Sequence, residues 1–270
     1  MARVKQLDQI TGNIGKLSFY TRKGSDEIFV RTKGGATKDQ IKRRPEFANV
    51  RKNNKEFGGC SKMSKAIRMA FFGLHHVADY NLAPVLCSLM KNIQAADTEG
   101  AHGERGIYLS KHRQYVAGFN FNRINRFESV LRIPLDWKID RENAAATISI
   151  PAFACSLGLN MPNRYSLFRI SATLGVVTDI SMDTQKHDYE PVHDTIGLSR
   201  QFLSTDWFPR TATVAAQELI FQLDINHPEI TFNDNDTLIL SVVIEFGELD
   251  AFGNPTPVKG GGAGKVLGVG

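Results

Sequence analysis

Apolar and polar positions change period twice along this 270-residue chain, and the changes divide it. Leu17, Phe19 and Tyr20, then Ile28 and Val30, make two short β-prone runs around Arg22-Lys23-Gly24-Ser25-Asp26. A glycine-bearing turn between two such runs predicts a β-hairpin, which Lys33-Gly34-Gly35 ends. Pro45 fits the first position of a helix, where its missing N–H costs nothing. Beyond it Phe47, Val50 and Phe57 fall on one face, Arg51, Lys52 and Lys55 lie off it, and Gly58-Gly59 predicts the end. Ser61 is placed to cap a second helix in which Met63, Ile67, Ala70, Phe71, Leu74 and Val77 recur at three- and four-residue steps. Pro84 interrupts, and Val85-Leu86, Leu89-Met90 and Ile93 predict a shorter third helix, so residues 45–95 read as a helical hairpin or small bundle.

After a loop at 97–106 the period falls to two. Strands are predicted over 129–138, 146–151, 165–180 (bent or split at Gly175), 213–225 and 237–248, joined by loops rich in Asn, Asp, Gly and Pro. That pattern argues an α+β, mainly β chain with an antiparallel β-sandwich body. The expected division is an N-terminal hairpin and basic helical module over 1–100, the sandwich over 101–252, and a glycine-rich tail over 253–270. A long connection at 182–209, carrying acids, two histidines and Trp207-Phe208, reads as a contact-making loop.

Charge sharpens the division. Residues 1–70 hold 17 Lys/Arg against 6 Asp/Glu, whereas the remainder holds 16 against 22. A basic head on an acidic body suits docking between copies of one chain, or binding to a polyanion. Cys60, Cys87 and Cys155 are widely spaced among apolar or small residues, which predicts reduced, partly buried thiols. The opening Met-Ala-Arg-Val-Lys lacks an apolar stretch, so cytoplasmic synthesis without a Sec signal is expected. His75, His76, Asp79, Asn81 and Pro84 break the longest apolar run, and no membrane insertion is expected.

Catalytic chemistry is not written in this sequence. Gly-Gly-Gly-Ala-Gly-Lys at 260–265 lacks the Ser/Thr and the following helix of a phosphate loop. There is no Gly-x-Ser-x-Gly elbow, and no cysteine has a catalytic neighbourhood. Adjacent His75 and His76 point to different sides of a helix and do not share a metal. His187 and His193 with Asp188, Glu190 and Asp194 form the densest group of ligand-type residues, and a solvated loop is the default for it. Hence no enzyme, cofactor, metal or small-molecule substrate is expected.

The head of the chain resembles a group of uncharacterised Bacteroidota proteins of unknown function. The matching residues are Gly12, Gly15, Lys16, Lys23, Gly24, Arg31, Gln40, Phe47, Arg51 and Phe57. Arg44-Pro45 stands where that group leads one to expect Asn-Pro. The resemblance implies a hairpin, a helix and a β-rich second half, and carries no mechanism.

The function expected is therefore structural: a self-assembling subunit of a homo-oligomeric tube, filament, shell or surface layer. Lys42, Arg43, Arg44, Arg51, Lys52 and Lys55 are the expected contact cations, for a neighbouring subunit or a polyanion. Val266, Leu267 and Val269 in the tail are candidates for strand addition to another copy. The alternative is a nucleic-acid-associated, phage-like protein using the basic stretch 38–68. A carbohydrate-binding module would need Trp207, Phe208 and Tyr189 as an exposed platform.

Overall fold

The computed structural model describes residues 3–6, 9–22, 25, 27–193, 200–224 and 232–270. Strands make up 39% of the chain and helices 26%, so the fold is α+β and mainly β, with antiparallel sheets. It forms two compact units, Met1–Arg51 and Lys52–Gly270. Residues 52–100 and 253–270 both belong to the larger unit, so no boundary falls near 100 or 253.

In the first unit β1 (Arg3–Gln6), β2 (Gln9–Ile14), β3 (Leu17–Thr21) and β4 (Ile28–Thr32) form a four-stranded antiparallel meander in that order. The β3–β4 pair is the hairpin expected from the sequence, with Phe19 opposite Val30 and Tyr20 opposite Phe29. Its turn residues Lys23, Gly24 and Asp26 lie outside the described residues. Gly15 closes the β2–β3 turn at φ +58°, a left-handed conformation that glycine adopts without steric cost. Thr37 then starts α1 (Lys38–Arg43) with a reciprocal capping box to Gln40.

Helix α2 runs from Ala48 to Ala70 without a break, so Gly58-Gly59 does not end it. The tyrosine at 189 explains the glycine: a Cβ on Gly59 would stand 2.7 Å from the Tyr189 ring. Here glycine admits a neighbour rather than stopping the helix. The inward side of α2 carries Cys60, Met63, Ile67 and Ala70. Phe57 and Val50, expected in the core stripe, are 63% and 39% exposed instead. Helix α3 (Leu82–Ala95) is capped by Asn81, which accepts from the Ala83 N–H, and Pro84 sits harmlessly in its first turn.

Short α4 (Phe127–Val130) precedes β5 (Asp136–Asp140), β6 (Ala145–Ile150), β7 (Phe153–Ala154) and α5 (Cys155–Gly158). The long β8 (Leu167–Thr178) follows, then β9 (Ile180–Asp183), β10 (Asp188–Pro191), β11 (Arg200–Ser204) and β12 (Phe208–Pro209). The chain closes with β13 (Thr213–Val214), β14 (Gln217–Gln222), β15 (Asp236–Leu249) and β16 (Pro255–Val269). Ile225, expected in the strand over 213–225, lies outside the described residues.

The principal sheet has the order β11-β8-β15-β16, with β12 also on β8, and the second sheet has the order β14-β6-β5. Between them lie Phe168, Ile170 and Leu174 of β8, Leu240 and Ile244 of β15, Ile148 of β6 and Phe221 of β14. The other face of the principal sheet packs on helices. There Val177, Ile239, Val243 and Val266 meet Met63 and Ile67 of α2 and Leu86 and Met90 of α3. Close approach requires small residues on this face. A Cβ on Gly175 would lie 2.5 Å from the Ala70 carbonyl oxygen, and β8 passes through this glycine without a bend or split.

Two expectations fail for related reasons. The segment 253–270, expected to be a loose tail, is β16, hydrogen-bonded along β15 from Leu249 opposite Pro255 to Ile239 opposite Val269. Val266 is fully buried, and the N–H groups of Gly118 and Phe121 donate to Val266 and Gly264 on the strand's outer edge. Val266, Leu267 and Val269 therefore belong to this chain's own sheet and are not free to add to another copy. The glycines of this segment make room. Cβ atoms at Gly264 and Gly268 would collide with Val243 and Trp137. The loop expected over 182–209 contributes β10, β11 and β12, with β11 and β12 pairing along β8.

A buried acid fastens the loop at 97–106 to α2. Glu56, 4% exposed, accepts from Arg105 Nε at 2.8 Å and Nη2 at 2.7 Å and from the Gly103 N–H at 2.8 Å. The hydrogen bonds from Arg105 hold its carboxyl below the ordinary 4.5. Glu56 thus stabilises the fold above its unfolded-state pKa, and that contribution is lost as pH falls through the lower folded value. Glu56→Gln is expected to cost about 2 kcal/mol near neutral pH. The difference from the parent should shrink steadily as pH falls below about 4.5, as read by urea unfolding across a pH series.

Candidate functional site

The most distinctive surface of the larger unit is a basic, apolar groove between α2 and α3. On α2 Phe57, Ser61, Lys65 and Arg68 recur at three- and four-residue steps and so share one side. They face α3 from Leu82 to Lys91 across two adjoining hollows. One, of about 440 Å³, is lined by Lys65, Arg68, Phe72, His75 and Tyr80 among others. Its neighbour, of about 410 Å³, is lined by Phe57, Ser61, Arg68, Cys87 and Lys91 among others. Arg68 belongs to both, and no carboxylate lines either.

The groove is short of anions. Lys65, Arg68 and Lys91 form no ion pair among the described residues. Arg68 Nε and His75 Nε2 are buried from solvent with no hydrogen-bond partner among the described residues. Burial holds the His75 imidazole below its ordinary 6.5, and the neighbouring Arg68 guanidinium pushes it the same way. Phe57 and Phe72 stand at the two ends, 63% and 51% exposed. Cations without partners beside exposed aromatic rings suit an acidic, apolar ligand surface.

The cations singled out from the sequence are scattered. Arg51 Nη1 donates to the carbonyls of Ile41 at 2.7 Å and Arg44 at 2.8 Å, so this guanidinium closes the end of α1 rather than facing outward. Arg44 lies 3.6 Å from Glu46 in an exposed ion pair. Lys42, Arg43, Lys52 and Lys55 are exposed. Lys65 and Arg68 were visible as the end of the basic stretch. Lys91 was missed, although it is the one charged residue in the sequence of α3, a signal in itself.

Other candidates are occupied or covered. Asp188 and Glu190 both bind Lys62, at 2.9 and 3.5 Å, and among the described residues no three His, Cys, Asp or Glu side chains converge as metal ligands. Asp194 lies outside the described residues. Tyr189 is 1% exposed and Trp207 is covered by Arg169, whose Cζ lies 4.6 Å from the ring, so no aromatic platform forms there. The three cysteines are free and buried, and burial pushes the Cys60 thiol up to about 12. No described helix is long and apolar enough to cross a membrane.

No protein-family model, curated protein or solved structure matches this chain.

Proposed function

We propose that this chain is a structural, self-associating subunit rather than an enzyme, and that basic surfaces of one copy dock on acidic, apolar surfaces of the next. The observation that carries the reading is the exposure of large apolar side chains on a protein with two full cores. Phe252 is 89% exposed, Phe57 and Ile220 63% and Leu249 58%. Such residues together with cations lacking acidic partners describe surfaces that await a covering partner. Repeated docking of two different surfaces builds rings, or tubes and filaments when the rotation does not close.

The exposed Lys42 and Arg43 also support a second reading, association with nucleic acid through the basic stretch 38–68. The two readings separate cleanly. Exposed ion pairs contribute about 0.2–1 kcal/mol each, so reversing both charges should raise the concentration needed for assembly about tenfold. Light scattering of nuclease-treated protein over a concentration series measures this. Under the second reading Lys42→Glu with Arg43→Glu leaves the oligomeric state unchanged and flattens the steep salt dependence of DNA or RNA affinity.

A further inference from the structure

The principal sheet ends in an arm. β15 and β16 continue past the covered part of the sheet as a two-stranded ribbon, with Gly247 opposite Pro257 and Leu249 opposite Pro255. The strand residues from Glu248 to Leu249 and from Pro255 to Pro257 are exposed. Asp250 sets the tip: its Oδ1 accepts from the N–H groups of Phe252 and Asn254, both at 2.8 Å. The turn holds Phe252 and Leu249 out in solvent, 89% and 58% exposed. Between Gly247 and Val258 the sequence has two acids, Glu248 and Asp250, and no Lys or Arg.

An exposed apolar pair costs hydration free energy, and a fixed turn keeps the ribbon from folding it away. The arm and the groove between α2 and α3 are complements. One presents two carboxylates around Leu249 and Phe252 on a two-stranded ribbon. The other presents Lys65, Arg68 and Lys91 around two adjoining apolar hollows, with no carboxylate among the lining residues. Each hollow, at about 440 and 410 Å³, lies within the roughly 300–1,000 Å³ typical of ligand-binding pockets and admits a large apolar side chain.

We infer that the acidic tip of the β15–β16 arm of one copy seats in the basic α2–α3 groove of a second copy, with Phe252 and Leu249 filling the hollows and Glu248 and Asp250 facing the cations. This inference rests on the self-association proposed above and names its contact. The two surfaces differ, so a docked pair keeps one free arm and one free groove and growth continues by one repeated step.

The test uses two full-length variants altered only at exposed residues, with folding checked by circular dichroism. Leu249→Ser with Phe252→Ser disables the arm, and Lys65→Glu with Lys91→Glu disables the groove. In sedimentation velocity each variant alone is expected to run as a 30.0 kDa monomer under conditions where the parent associates. An equimolar mixture should form a dimer and stop there, because only one productive arm–groove pair exists in it. Variants that associate as the parent does, or a mixture that stays monomeric, overturn the arm–groove contact and leave self-association standing. A parent that is monomeric at every concentration overturns the self-association reading and the contact together. If that monomer instead binds polyphosphate, and loses it on Lys65→Glu with Lys91→Glu, the groove belongs to a polyanion.

Discussion

Arg169→Met is expected to destabilise the protein by about 3 kcal/mol at neutral pH and to flatten part of its pH dependence. Arg169 and Glu245 face each other across the β8–β15 ladder and form an ion pair on the side of the sheet that packs on helices. Glu245 has no exposed surface, and His76 Nε2 lies 3.3 Å from its other oxygen. Burial by itself would raise the Glu245 carboxyl. The Arg169 guanidinium and the His76 ring beside it outweigh that and hold it below its ordinary 4.5. In the parent this carboxylate therefore stabilises above its unfolded-state pKa, and the contribution fades as pH falls through the folded value. Removing the guanidinium strips away its hydrogen bond and its charge while burial remains, so the folded pKa rises. The stability gained between acid and neutral pH then shrinks, a shallower slope than the parent's. Urea midpoints of both proteins between about pH 4 and pH 7 read both the loss and the slope. A variant that parallels the parent across that range would mean that the ion pair contributes nothing to the fold.

Gly262→Ala is the second large effect, expected to lower stability by about 2–5 kcal/mol. Gly262 sits at φ +109° within β16, where a side chain is strained whatever the space, and its Cβ would collide with the Ile244 carbonyl. For a unit of this size the loss corresponds to a melting temperature lower by about 10 °C. Gly58→Ala is the internal contrast. Nothing lies within 4 Å of a Cβ at that mid-helix position, so it should be neutral or add about 0.5–1 kcal/mol. Differential scanning calorimetry of the pair tests whether β16 is part of the core. If residues 253–270 were a loose tail, Gly262→Ala would leave the melting temperature unchanged.

Period-two alternation revealed the sandwich side of the principal sheet because those residues are apolar and every second position changes character. Ile170, Ala172 and Leu174, or Leu240, Val242 and Ile244, announce a buried face by themselves. The opposite face was illegible. It carries Ser171, Thr173 and Gly175 on β8, and Thr237, Ser241 and Glu245 on β15, all residues that read as solvated. They are buried because α2 needs small neighbours to approach, as the contact between Gly175 and Ala70 demonstrates. Without that face the helices read as a separate module.

Glycine misled three times for one physical reason. Local rules take glycine as a stop or a linker, whereas Gly59, Gly175, Gly262, Gly264 and Gly268 each admit a neighbouring atom. Nothing local to the sequence distinguishes the two uses, since the neighbours lie far along the chain. Of the candidate groove, the α2 cations were legible as the end of a basic run. Its aromatic ends were not: Phe57 reads as core by periodicity, and its exposure is set by where Tyr189 and the principal sheet bury the other side of the helix. The acidic arm was hidden across the end of the strand expected over 237–248 and the start of the tail expected at 253.

Electron microscopy of purified, nuclease-treated protein, with light scattering on the same sample, shows whether the chain self-associates. Regular multi-copy particles, rings, tubes or filaments are expected, whose mass rises with concentration and which dissociate when salt screens the groove cations. A monodisperse 30.0 kDa species at all concentrations and at low salt would contradict self-association.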